Sequence, residues 1–496
     1  MHSGKRHIAR NVLGAVWKDK FTGIQVPKKT NDGASLAAST DFIASCWESG
    51  GGGTVCVIGV DQIGERRQKQ CFFRGHTGAI QDIQFCPFYS AIFATASEDS
   101  TVKLWDCGSM WSSEEEPRQD PVATLKGHDK RVCFSVFNHV AEWVLATGAI
   151  DCTARVWDLE VQAPILTQSF SSHPVGMRWD ASASLLAVAT KAREICIWDP
   201  RGQAFVTEPI QAHEGAKPVR LEWSSGSRGI GDHYVISTGF SKTAERQLRL
   251  WDTRRMSTHV AEAELDRSAA ILQPYFDPGT GLLLLHGKGN RNILFYGLES
   301  DDFIKFGAFE SLDSWKDFAI APKRGVDVMK CEVLRGYGSL DGGYIQPVSL
   351  CVPRRNMSEF QEELFPPCFA GEPAVTTEEW FGGQTAAPIL ASMSPVNGIS
   401  PFAPKRPRDV RRLEFSRERT AIRETSSVLK KALSVTTQNL GSRVKELETI
   451  IEDQSEVIQG QSETIRKQDN KLSRLTKELA TTKTLLEEKD RLLASS

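Results

Sequence analysis

An all-β seven-bladed propeller followed by an α-helical coiled coil is the fold class this sequence predicts. Three observations predict it. A Trp-Asp pair recurs at Trp105-Asp106, Trp157-Asp158, Trp198-Asp199 and Trp251-Asp252. A Gly-His pair stands at the same distance before the first two, at Gly75-His76 and Gly127-His128. A heptad repeat begins at Arg443 and runs to the last residues. Self-similarity of this period identifies a stack of like units, each too small to bury its own apolar face.

Within the first two units the same chemistry recurs at the same offsets: His76, Thr95, Asp99 and Trp105, then His128, Thr147, Asp151 and Trp157. This matches the WD-repeat pattern, in which these four side chains form one buried hydrogen-bonded chain. A buried polar group needs a partner, so the four types belong together. That makes His76, His128, Asp99 and Asp151 structural residues rather than catalytic ones. The units ending at Trp198 and Trp251 are degenerate: Ala192 stands six before Trp198, and Arg246 and Gln247 fall where the other should turn tightly. Their networks are expected to be incomplete. Further strands are predicted at Phe42 to Cys46 with Val55 to Gly59, and at Leu282 to His286 with Asn292 to Tyr296. The run Gly50 to Gly53 lacks the spacing of a phosphate cradle and reads as a hairpin loop. Five or six units fit within residues 31–298, and an open sheet edge is a liability. A last blade shared between a strand near Ile24 to Val26 and the segment Phe303 to Val352 would close a ring of seven and lock the chain ends together.

The chain has 496 residues, 40% of them hydrophobic and 25% charged, which fits a protein with a real core. Lys and Arg number 60 and Asp and Glu 62, for a net charge of −2, which gives no support to a general nucleic-acid or membrane-surface role. The 11 cysteines include no CxxC pair. Cys46, Cys56, Cys71, Cys86, Cys133, Cys152 and Cys196 read as buried strand positions, and the odd count points to a reducing compartment without disulfides or a zinc site. Lys5, Arg6 and Arg10 are followed by no apolar run, so a signal peptide is not expected. The longest apolar run, Leu282 to Leu285, is too short to cross a bilayer, and a cytoplasmic location follows. With no P-loop, nucleophile elbow or paired carboxylates, neither enzyme activity nor a cofactor or metal is expected.

Beyond the repeats, Pro322-Lys323-Arg324-Gly325-Val326-Asp327-Val328 is followed by Cys331-Glu332, Val352-Pro353-Arg354-Arg355, Phe360 to Pro367 and Thr377-Glu378-Glu379-Trp380-Phe381-Gly382-Gly383. These motifs resemble the post-propeller segment of coronins. Arg6-His7 through Gly14, with Ile24-Gln25-Val26, is similar to the coronin N-terminal signature in diverged form. The resemblance covers about residues 5–390. Physically, Pro353, Pro366 and Pro367 exclude a regular ladder, so this stretch reads as an extended arm packing Phe360, Leu364, Phe365 and Trp380 onto one face of the propeller.

The resemblance implies binding to filamentous actin, oligomerisation that cross-links or bundles filaments, and dealings with the actin-related-protein nucleating complex and cofilin. It also implies placement in the actin cytoskeleton. Coronins typically carry an Arg in the N-terminal strand that is implicated in actin contact; here Gln25 stands in its place. Lys18, Lys20, Lys28 and Lys29 could supply the positive charge. The rival reading is an oligomeric WD-repeat scaffold for non-actin partners in trafficking or signalling.

Four regions follow: a propeller over 1–352, a packed extension over 353–390, a linker over 391–435 and a coiled coil over 436–496. The linker is rich in Pro and Ser and then basic, from Lys405 to Arg423; it reads as a solvated tether with weak contact to anionic lipid as the alternative. In the coil, Val444, Ile451, Ile458, Ile465, Leu472, Leu479 and Leu486 occupy a positions, and Leu447 and Leu475 occupy d positions. Gln454, Gln461 and Gln468 make the d seam polar, while Ile450, Val457 and Leu485 widen the stripe. Arg443 and Glu448 fit the coronin trimerisation pattern, whereas the wide stripe favours a tetramer, so both states stay open.

Overall fold

The computed structural model describes residues 7–27, 31–108, 120–224, 233–299, 301–356, 359–395, 462, 466–485, 487 and 489. The chain divides into two units, Met1–Phe415 and Ser416–Ser496. In the first, seven antiparallel sheets stand around a central channel, each beginning with its innermost strand. Blades 1 to 6 span residues 36–74, 80–126, 132–169, 174–211, 220–264 and 272–310, and blade 7 is built on residues 315–351.

The second strand of each blade is mostly apolar, as in Ile92–Ser97, Val144–Ala149 and Leu282–Gly287, and every residue of those three strands is buried, Thr95, Thr147 and His286 included. Blades pack on both sides of such a strand, so alternation disappears. Innermost strands keep it: Ile80–Phe85 turns Gln81 and Gln84 away from the buried residues of the strand. The expected strands around Phe42, Val55, Leu282 and Asn292 are present as Phe42–Trp47, Thr54–Gly59, Leu282–Gly287 and Asn292–Glu299.

Closure differs from the expectation in its residues. Ile24 to Val26 forms no strand. Leu13–Val16 pairs with blade 7 instead, with Leu13 opposite Cys351 and Val16 opposite Val348, and Phe21–Thr22 continues along the same partner strand. Asp302–Glu310 is the outer strand of blade 6 and supplies no strand to blade 7, although Phe306 and Phe309 pack against the blade 7 core. A polar clasp holds the joint. The Trp17 indole N–H donates to Ser349 Oγ at 2.7 Å, and the Ser349 hydroxyl donates to Glu332. Arg335 grips that buried carboxylate through Nε at 3.0 Å and stacks on the Trp17 ring at 4.9 Å.

Two of the four-residue networks have the same geometry. Asp99 can only accept, so His76 Nδ1–H donates to it at 2.8 Å; the Thr95 hydroxyl donates to His76 Nε2 at 2.8 Å, and the Trp105 indole donates to Thr95 at 2.8 Å. His128, Thr147, Asp151 and Trp157 repeat these distances. Burial alone would raise the Asp99 carboxyl, but bonds from His76 and Thr101 outweigh it and hold it well below the carboxylate range. In blade 5 the expectation of a broken network fails. Trp251 donates to Ser237 at 2.8 Å, Ser237 meets His213 at 2.8 Å, and Gln247 takes the acceptor role at 3.4 Å. Blade 4 is incomplete: Val188 occupies the register position of Thr95, and the buried Trp198 indole N–H has no partner among the described residues.

The segment after blade 7 lies across the lower face, the one opposite the network histidines. Leu364 and Phe365 join the apolar cluster of blades 6 and 7. Val375 and Trp380 join the cluster of blades 3 and 4, where the Trp380 indole donates to Ala183 O at 3.0 Å. Between them Cys368–Phe369 pairs with Leu390–Ala391, so one short ladder does form. Thr376 caps the helix Thr377–Phe381 in a capping box with Glu379. Beneath the strap Arg324 reaches from blade 7 to Pro87 O of blade 2 at 2.8 Å. Gly371 sits at φ +80, and a Cβ there would fall 1.1 Å from the Arg324 guanidinium. All 11 cysteines are free; of the seven expected at buried strand positions, Cys86 is buried just past its strand, Cys133 is half-buried, and Cys152 sits in a turn at φ 64.

Residues 466–485 of the second unit are helical. Leu472, Leu475 and Leu479 are 65%, 52% and 72% exposed, forming one uncovered stripe. Arg443, Val444, Leu447, Glu448, Ile451, Ile458, Ile465 and Leu486 lie outside the described residues, as does the basic linker.

Trp105→Phe removes a bonded indole N–H and Trp198→Phe removes an unbonded one. In urea unfolding the first is expected to lose about 1–2 kcal/mol more than the second. Equal losses would mean that the network adds nothing beyond ring packing. His213 gives a pH signature. Burial first, then the Arg249 charge, lowers its pKa from 6.5 to about 3. The neutral ring therefore contributes stability that is fully present above the ordinary histidine range and is lost as pH falls toward the folded value. His213→Asn should show a shallower decline in unfolding midpoint between these limits than the parent protein.

Candidate functional site

The chain path that closes blade 7 also builds the most distinctive surface of the upper face. After Leu13–Val16 the chain turns through Lys18 and Lys20, both exposed. The Lys20 ammonium lies 3.8 Å from the centroid of the Tyr344 ring, a cation–π contact that fixes its stem while leaving the charge at the surface. Ile24 is buried, and its N–H donates to Gly343 O at 2.9 Å. Gln25 is exposed, and its backbone carbonyl accepts from Glu48 N at 2.8 Å, which ties blade 7 to blade 1. The structure thus brings Lys18, Lys20 and Gln25 onto one short stretch at the seam of the ring. Lys28 and Lys29 lie outside the described residues.

The same stretch then enters the channel mouth. Asn31 Nδ2 donates to Ile80 O at 2.8 Å and Gln81 O at 2.9 Å, both on blade 2. Gly33 passes so close that a Cβ would fall 2.2 Å from Gln81 O. Arg220 of blade 5 donates to Asp32 O at 3.1 Å. Lys288 of blade 6 donates to Asn31 O at 3.2 Å and Gly33 O at 2.5 Å, and pairs with Asp317 of blade 7 at 3.0 Å. Asp317 also accepts from Ser35 N at 2.6 Å and Ser35 Oγ at 2.8 Å. Asp82 accepts from Ala34 N at 2.8 Å and Ser135 N at 2.9 Å. Residues 31–35 are therefore a plug bonded to blades 2, 5, 6 and 7.

Burial governs the electrostatics beneath the plug. It would raise the Asp317 carboxyl, but the Lys288 charge and the Ser35 bonds prevail and lower it. Burial raises Asp82 despite its two backbone donors, because no cation pairs with it at close range. Burial also lowers His286 to about 4, against the pull of Asp317. Further down, Arg178 Nε pairs with Glu222 at 3.3 Å. This lining holds the fold together: two of its carboxylates are tied to a lysine or an arginine, and the third is spent on backbone N–H groups. Among the described residues no group of His, Cys, Asp and Glu is placed to hold a metal ion, and no helix is long and apolar enough to cross a membrane.

Lys18, Lys20 and Gln25, named from the sequence, lie at the surface, while the plug, Arg220 and Lys288 were not anticipated. The one local signal was Asn31-Asp32-Gly33, a turn-forming run just before the first innermost strand.

Comparison with known proteins now decides the family. A domain of unknown function matches residues 10–65, the stretch that carries closure and plug. A WD domain, G-beta repeat, matches residues 67–106 and 119–158, and a further type of WD40 repeat matches 345–388. Coronin-2A of Bos taurus is 30% identical over 410 residues, covering 80% of this chain and 75% of its own. The chain belongs to the coronin family. Coronin-like proteins of Saccharomyces cerevisiae and Schizosaccharomyces pombe are 32% and 33% identical, over 79% and 78% of this chain. This coronin spans 61% and 64% of the length of those two relatives. The solved WD40 domain of Toxoplasma gondii coronin is similar at 34% identity and a TM-score of 0.73, over 78% of this chain and 98% of that one.

Lys288→Met tests the plug. It leaves Asp317 buried without its cation, which costs about 3–5 kcal/mol. Amide hydrogen exchange at residues 31–35 should accelerate well beyond that of blade 3. Uniform acceleration over the whole propeller would show that Lys288 stabilises the fold without a local role at the plug.

Proposed function

We propose that this coronin binds filamentous actin through the seam between blades 7 and 1 and joins several heads through its coiled coil. Membership of the coronin family is the observation that carries the reading. Two features support it. Lys18 and Lys20 are exposed beside Gln25 on a stretch anchored to the channel plug, which suits an acidic filament surface. Lys28 and Lys29 extend that charge in sequence. Separately, a helix that exposes Leu472, Leu475 and Leu479 in one stripe needs a partner helix, and a second copy of the same chain supplies it.

Linked heads multiply a modest affinity, because the second contact on one filament is intramolecular. Cross-linking or bundling follows when heads reach different filaments. Dealings with the actin-related-protein nucleating complex and with cofilin, and a place in the cytoplasmic actin cytoskeleton, belong to the same reading. So does binding in place of catalysis. The coil is a trimer or a tetramer.

Co-sedimentation with filamentous actin across a salt series tests this. The full chain should pellet more strongly than residues 1–400, and both should release as salt rises. Reversal of Lys18 and Lys20 to Glu should weaken pelleting about tenfold with the melting temperature unchanged, and reversal of Lys28 and Lys29 should act in the same direction. If the full chain fails to pellet at low salt, the scaffold for non-actin partners takes the place of this reading.

A further inference from the structure

The upper face carries a cavity of about 520 Å³ that the filament reading does not use. The plug forms one wall, and the loops and innermost strands of blades 1 to 4 form the others. Its interior is apolar where Phe134, Ile150 and Val175 line it. At the blade 3 and blade 4 side it carries two cations and a histidine ring. Arg131, His173 and Lys191 all line the cavity there.

These three groups are poorly answered by the protein itself. Arg131 is 43% exposed and reaches only Glu98, at 3.5 Å. The Lys191 ammonium and the His173 ring have no hydrogen-bond or ion-pair partner among the described residues; only their backbones meet, Lys191 N–H donating to His173 O at 2.9 Å. They are also close enough to act on one another. Burial first, and then the charges of Lys191 and Arg131, hold the His173 pKa below its ordinary value. Like charges gathered at one rim repel, and an incoming anion relieves that repulsion. An apolar hollow with convergent donors at one end is the general form of a recognition site.

We infer that this cavity binds a short acidic peptide segment of a partner protein, seating an apolar side chain against Phe134, Ile150 and Val175 with a neighbouring carboxylate on Arg131, His173 and Lys191. Charge complementarity at that rim selects the occupant: of the carboxylates lining the cavity, Asp32, Glu48 and Glu98, only Glu98 reaches one of these groups, while Lys191 and His173 present donors that no carboxylate among the described residues answers. The rim at blades 3 and 4 uses none of Lys18, Lys20 and Gln25, although the opposite wall runs through Val26 and Glu48 beside Gln25, and the proposal does not rest on the filament reading.

Fluorescence anisotropy on the full chain tests it, with a labelled peptide of alternating glutamate and leucine and matched peptides carrying serine or lysine for glutamate. The glutamate peptide should bind and the others should not. The double variant Arg131→Glu, Lys191→Glu should weaken that binding at least about tenfold, with an unchanged melting temperature and unchanged co-sedimentation with actin. Val175→Asp should abolish binding while keeping both cations, which separates the apolar seat from a loose charge effect. Equal binding of the serine peptide, or binding that survives the charge reversal, would overturn the proposal. Joint loss of peptide binding and actin pelleting in the double variant would overturn the separateness of the two sites.

Discussion

A ring of sheets must close before any of its blades is fully packed, and here closure depends on one short antiparallel pairing between the two ends of the propeller sequence. Leu13–Val16 adds to Tyr344–Cys351. The apolar contribution of that strand is small, since Leu13 and Val16 are 61% and 53% exposed. Its hold comes from the backbone ladder and from the clasp of Trp17, Ser349, Glu332 and Arg335. Glu332 is almost fully buried, so its charge is tolerable only while Arg335 and Ser349 answer it. The clasp therefore ties the chain end to blade 7: a chain end docked elsewhere would lose the Trp17 indole bond to Ser349 and its stacking on Arg335.

The two ends of the channel follow from the same path. The strand that closes blade 7 continues into the plug at the upper mouth, and the strand it pairs with continues into the strap across the lower face. Arg324 and Lys323 lie where blade 7 meets that strap; Lys323 Nζ holds Asp277 of blade 6 at 2.7 Å and Val333 O at 2.7 Å. Arg324 carries the connection to blade 2. Blades on opposite sides of the channel are thus joined through these segments as well as through their neighbours. Such cross-ties make local opening of a single blade more costly than stacking alone would.

What the sequence made legible and what it hid divide along range. The Trp-Asp units and their histidines are visible because their partners recur at fixed offsets, and the count of seven follows from the need to close. The strap was visible because its prolines and large apolar residues sit together. The closing strand was misplaced because Ile24 and Val26 look like a strand, whereas Leu-Gly-Ala-Val at 13–16 is short and mostly exposed. Ile24 is buried for a different reason: it packs in the cluster joining blades 7 and 1. Gln247 was read as a break because the pattern asks for Asp, yet an amide oxygen accepts a hydrogen bond as a carboxylate does. Lys288 and Arg220 were invisible because their partners are backbone carbonyls more than 180 residues away, and no local pattern encodes a bond to a carbonyl.

The same geometry decides which surfaces are left for partners. The strap covers the apolar lower ends of several blades, with Trp380 set between Trp179 and the Arg201 side chain. Seating a partner over those covered ends would first require lifting buried aromatic groups, at a free-energy cost of the order of a core substitution. Among the described residues the upper face carries no such cover beyond the plug. There the exposed lysines before the plug, at the seam of blades 7 and 1, and the cationic rim of the cavity at blades 3 and 4 are held on loops whose ends are fixed by rigid strands. Groups so held lose little freedom on binding, so that more of each contact remains as affinity. Plug and closure are one continuous segment, and the position of the seam surface is consequently set by the same bonds that close the ring. A substitution that loosens Lys288 or the Glu332 clasp reaches the seam surface through the backbone, without any contact to Lys18, Lys20 or Gln25.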